Sequence, residues 1–119
     1  MSGPYIVPEG AYGDLLAKWE TKFGGAPPSG FHAHAYDAAN LLMDAIEAVA
    51  KMDEEGNLLI GRQAIRDYLN NVEGYQGVIG QVSCNATGDC ATGEALGIYA
   101  ITDAEISEGA WPPQVIYTP

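Results

Sequence analysis

Two cysteines, two histidines and the polar turn Asn85-Ala86-Thr87-Gly88-Asp89 carry the residue types and spacings with most bearing on chemistry. Cys84 and Cys90 flank that turn at what reads as a hairpin tip. Cross-strand neighbours at such a tip stand at a separation that a disulfide can bridge. Closing so short a loop contributes only about 2 kcal/mol through chain entropy. A free thiol pair and a redox site are the alternatives, although a redox dithiol is usually Cys-x-x-Cys at a helix start. A disulfide would place the chain in an oxidising compartment. Asn85, Thr87 and Asp89 put oxygen ligands at alternate positions around a glycine, as calcium loops do. The bidentate Glu of such loops is missing, and Asn, Gly and Asp are what a tight hairpin needs in any case. Asn85-Ala86-Thr87 is also a glycosylation sequon in a eukaryotic secretory setting.

His32 and His34 form His-x-His, which on a strand would share one face and could bind a metal. At a helix start the two rings point about 200° apart, so one ion cannot easily hold both. His34 and Asp37, three residues apart, could serve as an acid–base pair, but no nucleophile stands near them in sequence. No Gly-x-Ser-x-Gly, Ser-x-x-Lys or Walker loop is present. Gly74-Tyr75-Gln76-Gly77 is too short to cradle a phosphate, and Asp53, Glu54 and Glu55 sit in a polar turn as solvated charges. The residues therefore predict no catalysis, no metal and no cofactor.

The surrounding chain has 119 residues, 47% apolar and 18% charged, ordinary values for one domain with a modest core. Its charge is less ordinary, with 16 acidic against 5 basic residues and a net −11. A phosphate backbone or an anionic membrane surface would be repelled, so nucleic-acid binding is not expected. No apolar run is long enough to span a bilayer. The first ten residues lack the basic start and apolar stretch of an export signal.

The positioning elements follow from periodicity. Tyr5-Ile6-Val7, between Pro4 and Pro8, reads as a short extended run. Tyr12, Leu15, Leu16, Trp19 and Phe23 recur at helical spacing, with Asp14 and Lys22 suiting the helix dipole and Gly24-Gly25 supplying the stop. A second helix is predicted over Phe31–Met52. One stripe on it is Phe31, Ala35, Ala38, Leu42, Ile46 and Val49; an adjacent one is Leu41, Ala45, Ala48 and Met52, a width that implies packing on more than one side. A third helix over Gly61–Val72 presents Ile65, Tyr68, Leu69 and Val72. From Tyr75 the period becomes alternating, with Val78, Gly80, Val82 and Cys84 on one face. A return strand is predicted over Glu94–Ile101 and a last one over Gln114–Tyr117, after Trp111-Pro112-Pro113. The result is a mixed α/β chain without the repeated strand–helix units of a self-sufficient doubly wound sheet.

Ala35-Tyr36-Asp37-Ala38 in the long helix, Ile60-Gly61-Arg62-Gln63-Ala64-Ile65-Arg66, and Gly77-x-x-Gly80 leading to Gly88-Asp89 occur in an order that resembles a known family. From Tyr5 to Tyr117 the chain is similar to the C-terminal segment of periplasmic (type I) substrate-binding proteins of branched-chain amino-acid ABC transporters, the extracellular ligand-binding receptors. The resemblance covers about the last third of a family-length protein, and the cysteine-flanked hairpin departs from the simpler Asp-x-x-Gly-Asp form.

Several expectations come with the resemblance. The fold would be part of a two-lobed clamshell of Rossmann-like sandwiches. Residues 1–30 would give a second-lobe strand and helix, 31–72 the hinge-proximal helices, and 73–119 the hairpin and terminal strand. The intact protein would close on a small amino-acid-like ligand and deliver it to an ABC permease, after export directed by a signal in a preceding segment. Tyr12, following the Pro8-Glu9-Gly10-Ala11 loop, matches a ligand-contacting tyrosine, and Glu9 could pair with a ligand ammonium. By itself such a segment would expose apolar helix surface and form a homo-oligomer. The competing reading is a stand-alone sensory or interaction domain with the same fold.

Overall fold

Gly24 and the buried carboxylate of Asp37 each mark where an element of this chain turns back. The computed structural model describes residues 2–91, 96–109 and 113–118, excluding the side chains at 104, 105 and 108. In chain order the elements are β1 (Ser2–Pro4), α1 (Gly10–Phe23), α2 (His32–Val49), β2 (Lys51–Met52), β3 (Leu58–Leu59) and α3 (Arg62–Asn70). They continue as β4 (Tyr75–Gly77), β5 (Gly80–Cys84), β6 (Cys90–Ala91), β7 (Leu96–Tyr99), α4 (Asp103–Glu108) and β8 (Val115–Tyr117). Helix makes up 41% and strand 22%, a mixed α/β chain as the sequence predicts. The predicted start of the return strand, Glu94-Ala95, and the Trp111-Pro112 step lie outside the described residues. By contacts the chain forms two compact units, 1–33 with 93–119, and 34–92.

In the first unit, β7 is the middle strand of a three-stranded antiparallel sheet, flanked by β1 and β8. Gly97 on β7 is buried, and a Cβ there would stand 2.9 Å from Tyr5 Cβ, so only glycine leaves room for that ring's stem. The extended run read at Tyr5–Val7 therefore falls three residues late: the strand is Ser2–Pro4, and Tyr5 leaves it to cover Gly97. α1 begins at Gly10 rather than near Tyr12, which moves Asp14 out of the first turn. Its end follows the prediction, with Lys22 in the last turn and the Gly24 amide donating to the Glu20 carbonyl at 2.9 Å. A positive φ of 72° at Gly24 explains why glycine stands there.

The second unit is built around α2. Asp37, Leu41 and Ala45 are buried, one residue per turn along a single face. The neighbouring stripe is open instead, with Leu42 45% exposed. α2 stops at Val49, three residues before the predicted end, because Lys51-Met52 pairs with Leu58-Leu59 in a hairpin. Asp53 holds the hairpin's turn: its carboxylate accepts from the amides of Glu55 (3.0 Å) and Asn57 (2.8 Å) and from the Asn57 side chain (3.0 Å). The Asn57 side-chain bond, followed by the amide bonds, holds the Asp53 carboxyl below the usual carboxylate range. α3 half-buries Ile65, Tyr68 and Leu69, much as its periodicity predicts.

Two sequence expectations about the strands are corrected. The alternating run from Tyr75 to Cys84 is not one strand but two, β4 and β5, joined by a turn at Val78-Ile79. The run at 96–99 is a strand, but it pairs with β1 and β8, not with β5. The partner of β5 beyond the cysteine turn is the short β6, in register Ser83↔Ala91 and Cys84↔Cys90. A fourth helix, α4, was not predicted. Among the described residues no helix is long and apolar enough to cross a membrane.

Candidate functional site

A cleft of about 330 Å³ opens in the first unit, within the range of small-ligand sites. Its lining is mainly apolar and aromatic, with Ile6, Leu16 and Val115 beside the rings of Tyr5, Tyr12 and Tyr99. Three local features position that wall. The helical stripe of α1 turns Tyr12 and Leu16, four residues apart, to one side. Pro27 and Pro28, beyond the Gly24 stop of α1, lead into Ser29-Gly30 and the start of α2. The close approach of β7 to β1 brings Tyr99 against Pro4, whose carbonyl accepts the Tyr99 hydroxyl proton.

Tyr12 and His32 form the polar centre of this wall. The His32 Nδ1 lies 2.6 Å from the Ser29 carbonyl oxygen, and a carbonyl can only accept, so Nδ1 carries the proton. In the neutral ring Nε2 is then an acceptor, and the Tyr12 hydroxyl donates to it across 3.1 Å. The two rings stack at 5.5 Å between centroids with a 30° interplanar angle. Trp19, one helical turn beyond Leu16's neighbour Leu15, lies 6.2 Å from the same imidazole and 4.5 Å from Phe23. Burial, and secondarily the neighbouring Tyr99, pushes the Tyr12 phenol above its ordinary value. Burial does the same for Tyr99, with Tyr5 adding to it.

Of the residues singled out in the sequence, Tyr12 lines the cleft and Glu9 does not. Glu9 is exposed at the N-cap of α1, with φ −127° and no capping bond from its side chain. His32, for which a structural or surface role is expected over metal binding, has a structural one, engaged at both ring nitrogens. That role had a signal: a histidine three residues after Ser29 at a helix start can reach back to its carbonyl. Tyr5 and Tyr99 had no such signal, because a strand pairing across the whole chain brings them together.

Cys84 and Cys90 form a disulfide. Beside it, the Asn85 side-chain oxygen accepts from the amides of Thr87 and Asp89, both at 3.0 Å, and from the Thr87 hydroxyl at 2.7 Å. The oxygen that a calcium loop would direct at an ion is thus turned into its own hairpin. Among the described residues no three His, Cys, Asp or Glu side chains gather as a metal site.

The second unit has one further polar device. Asp37, 5% exposed, accepts from the amides of Val78 and Ile79, each at 2.9 Å. A two-residue hairpin turn favours positive φ at its central residues, and neither Val78 nor Ile79 has one. Their amides turn inward to the carboxylate instead. Comparison of the chain with known protein families, with characterised proteins and with solved structures finds no match.

Proposed function

We propose that the chain is the C-terminal segment of a type I solute-binding protein, the receptor component of an ABC uptake system for branched-chain or related amino acids. The observation that carries this reading is the place of Tyr12. The residue that the family resemblance assigns to the ligand stands in the wall of an apolar, ligand-sized cleft. Asp37 adds support, since it joins two of the three motifs that carry the resemblance, Ala35-Tyr36-Asp37-Ala38 and Gly77-x-x-Gly80. The reading requires the parallel sheets of the two lobes to come from chain outside the described residues, whose strand pairings are all antiparallel. It also makes the protein an exported one, for which a disulfide is an ordinary feature.

One wall of a clamshell lacks two-sided contacts and full desolvation, so affinity for a free amino acid should be weak, on the order of millimolar. Amide-resolved NMR with leucine, isoleucine and valine detects binding of that strength. Shifts concentrated at Tyr12, Leu16, His32 and Tyr99, weakened about tenfold by Tyr12→Ala, are the expected result. No perturbation at saturating ligand, or shifts confined to the second unit, would remove the cleft as a ligand wall.

A further inference from the structure

We infer that the cleft selects the hydrogen-bond donor end of its ligand, a neutral N–H such as that of a carboxamide, over a carboxylate of the same shape. The inference rests on the cleft being a ligand wall, as proposed above, and adds the chemistry of what it takes. It follows from the direction of two protons. The Ser29 carbonyl fixes the proton of His32 on Nδ1, 2.6 Å away. In the neutral ring Nε2 must then accept, which commits the Tyr12 proton to the imidazole. A phenol whose proton is committed still has lone pairs, so towards the cleft Tyr12 is an acceptor. Tyr99 likewise directs its proton to the Pro4 carbonyl and cannot donate it to a ligand.

A carboxylate offered to the Tyr12 and Tyr99 oxygens meets lone pairs, with no Lys or Arg among the described lining residues. A carboxamide of equal size meets the Tyr12 oxygen with an N–H. Among the described lining residues there is also no acidic one that would neutralise an ammonium. That favours a neutral donor, since an unpaired charge in an apolar cleft is costly. The hydroxyls of Tyr5 and Ser29 can each donate or accept, so they do not set the preference. His32 is here a positioning residue, acting through the Tyr12 hydroxyl.

Isovaleramide and isovalerate differ at the polar end alone and suit an NMR titration of the whole protein. Isovaleramide should bind roughly tenfold tighter, the worth of one hydrogen bond gained against one lone-pair clash. Part of any preference comes from the long-range field of a chain with net charge −11. Tyr12→Phe leaves that field unchanged, so the fall in the amide-to-carboxylate ratio on Tyr12→Phe isolates the local part. His32→Phe keeps a stacking ring but frees the Tyr12 proton for donation, and should lower the ratio as well. The nitrogen resonances of His32 give an independent readout, expected to show the Nδ1–H tautomer. An Nε2–H tautomer, equal binding of the two ligands, or a ratio unmoved in Tyr12→Phe would overturn the inference while leaving the cleft a ligand wall. Binding of neither ligand, nor of any free amino acid, would overturn both.

Discussion

Replacing Asp37 with alanine removes a carboxylate that is 5% exposed and accepts two backbone amides at 2.9 Å. A hydrogen bond to a charged acceptor is worth about 1.5–3 kcal/mol net, so two set an upper bound of about 3–6 kcal/mol. Two effects reduce it. Val78 and Ile79 are half-buried, so water can reach their amides once the carboxylate has gone. The folded state is also spared the cost of desolvating a charge. The expected loss for Asp37→Ala is therefore about 2–4 kcal/mol, with Asp37→Asn, which keeps one accepting oxygen, losing about half as much.

Gly77 provides the second arm of the same test. A Cβ at this position would lie 2.3 Å from Asp37 Oδ2 and 2.7 Å from its Cγ, distances that no relaxed structure tolerates. Gly77→Ala should be destabilising in the wild-type background and much less so once Asp37 is alanine. The double-mutant cycle should thus depart from additivity by about 1–2 kcal/mol or more, with the double mutant more stable than the sum predicts. Amide exchange at Val78 and Ile79 is the appropriate assay, because a chain of two compact units does not guarantee a single global transition. If these amides exchange equally fast in wild type and Asp37→Ala, or the cycle is additive, the carboxylate does not hold the turn.

Burial holds the phenols of Tyr12, Tyr75 and Tyr99 above the ordinary tyrosine value, helped at Tyr75 by the nearby Asp44 and Asp37 carboxylates. The neutral phenol is favoured by folding in each case. Its contribution to stability is complete below a tyrosine's usual value near 10 and is lost as pH rises through the higher folded value. An ultraviolet phenolate titration should show a late fraction that ionises together with loss of structure. Full ionisation of all tyrosines at the free value, with the fold intact, would refute this. The exposed apolar residues point to self-association: Phe31 and Met43 are each 65% exposed, Ile106 66%. Light scattering should report a mass above that of one chain; a clean monomer over a dilution series would count against the receptor-segment reading.

Three of the four helices in the described residues, α1 to α3, were the legible part of this fold. The Tyr12-to-Phe23 stripe and Gly24 mark the end of α1 to the residue and its start to within two, because a 3.6-residue period and a positive-φ stop are local properties. The end of α2 was harder to place, since Lys51-Met52 continues the apolar pattern of the helix while pairing as a strand. The turn at Val78-Ile79 was hidden for a different reason. Apolar alternation runs straight through it, and the Asn or Gly that usually marks such a turn is replaced by a carboxylate some forty residues earlier in the chain. Alternation likewise announces β7 without naming its partners: a period of two says that a strand exists, and nothing in it distinguishes the neighbouring β5 from the distant β1 and β8.

The same contrast governs the cleft. Tyr12 was picked out through the family resemblance, but what it presents to a ligand depends on a proton, and the position of that proton is decided elsewhere. The Ser29 carbonyl sets the His32 tautomer, His32 sets the Tyr12 hydroxyl, and the two steps span residues 12 to 32 through a turn that Pro27 and Pro28 make rigid. Each residue alone is unremarkable in sequence: a serine before a helix, a histidine in its first turn, a tyrosine on an apolar stripe. Together they convert an amphoteric phenol into a directional acceptor, because a backbone carbonyl at the start of the chain of bonds cannot donate. The polarity of the wall is therefore anchored in the backbone, and substitution of Ser29 by alanine, which keeps that carbonyl, should leave it in place.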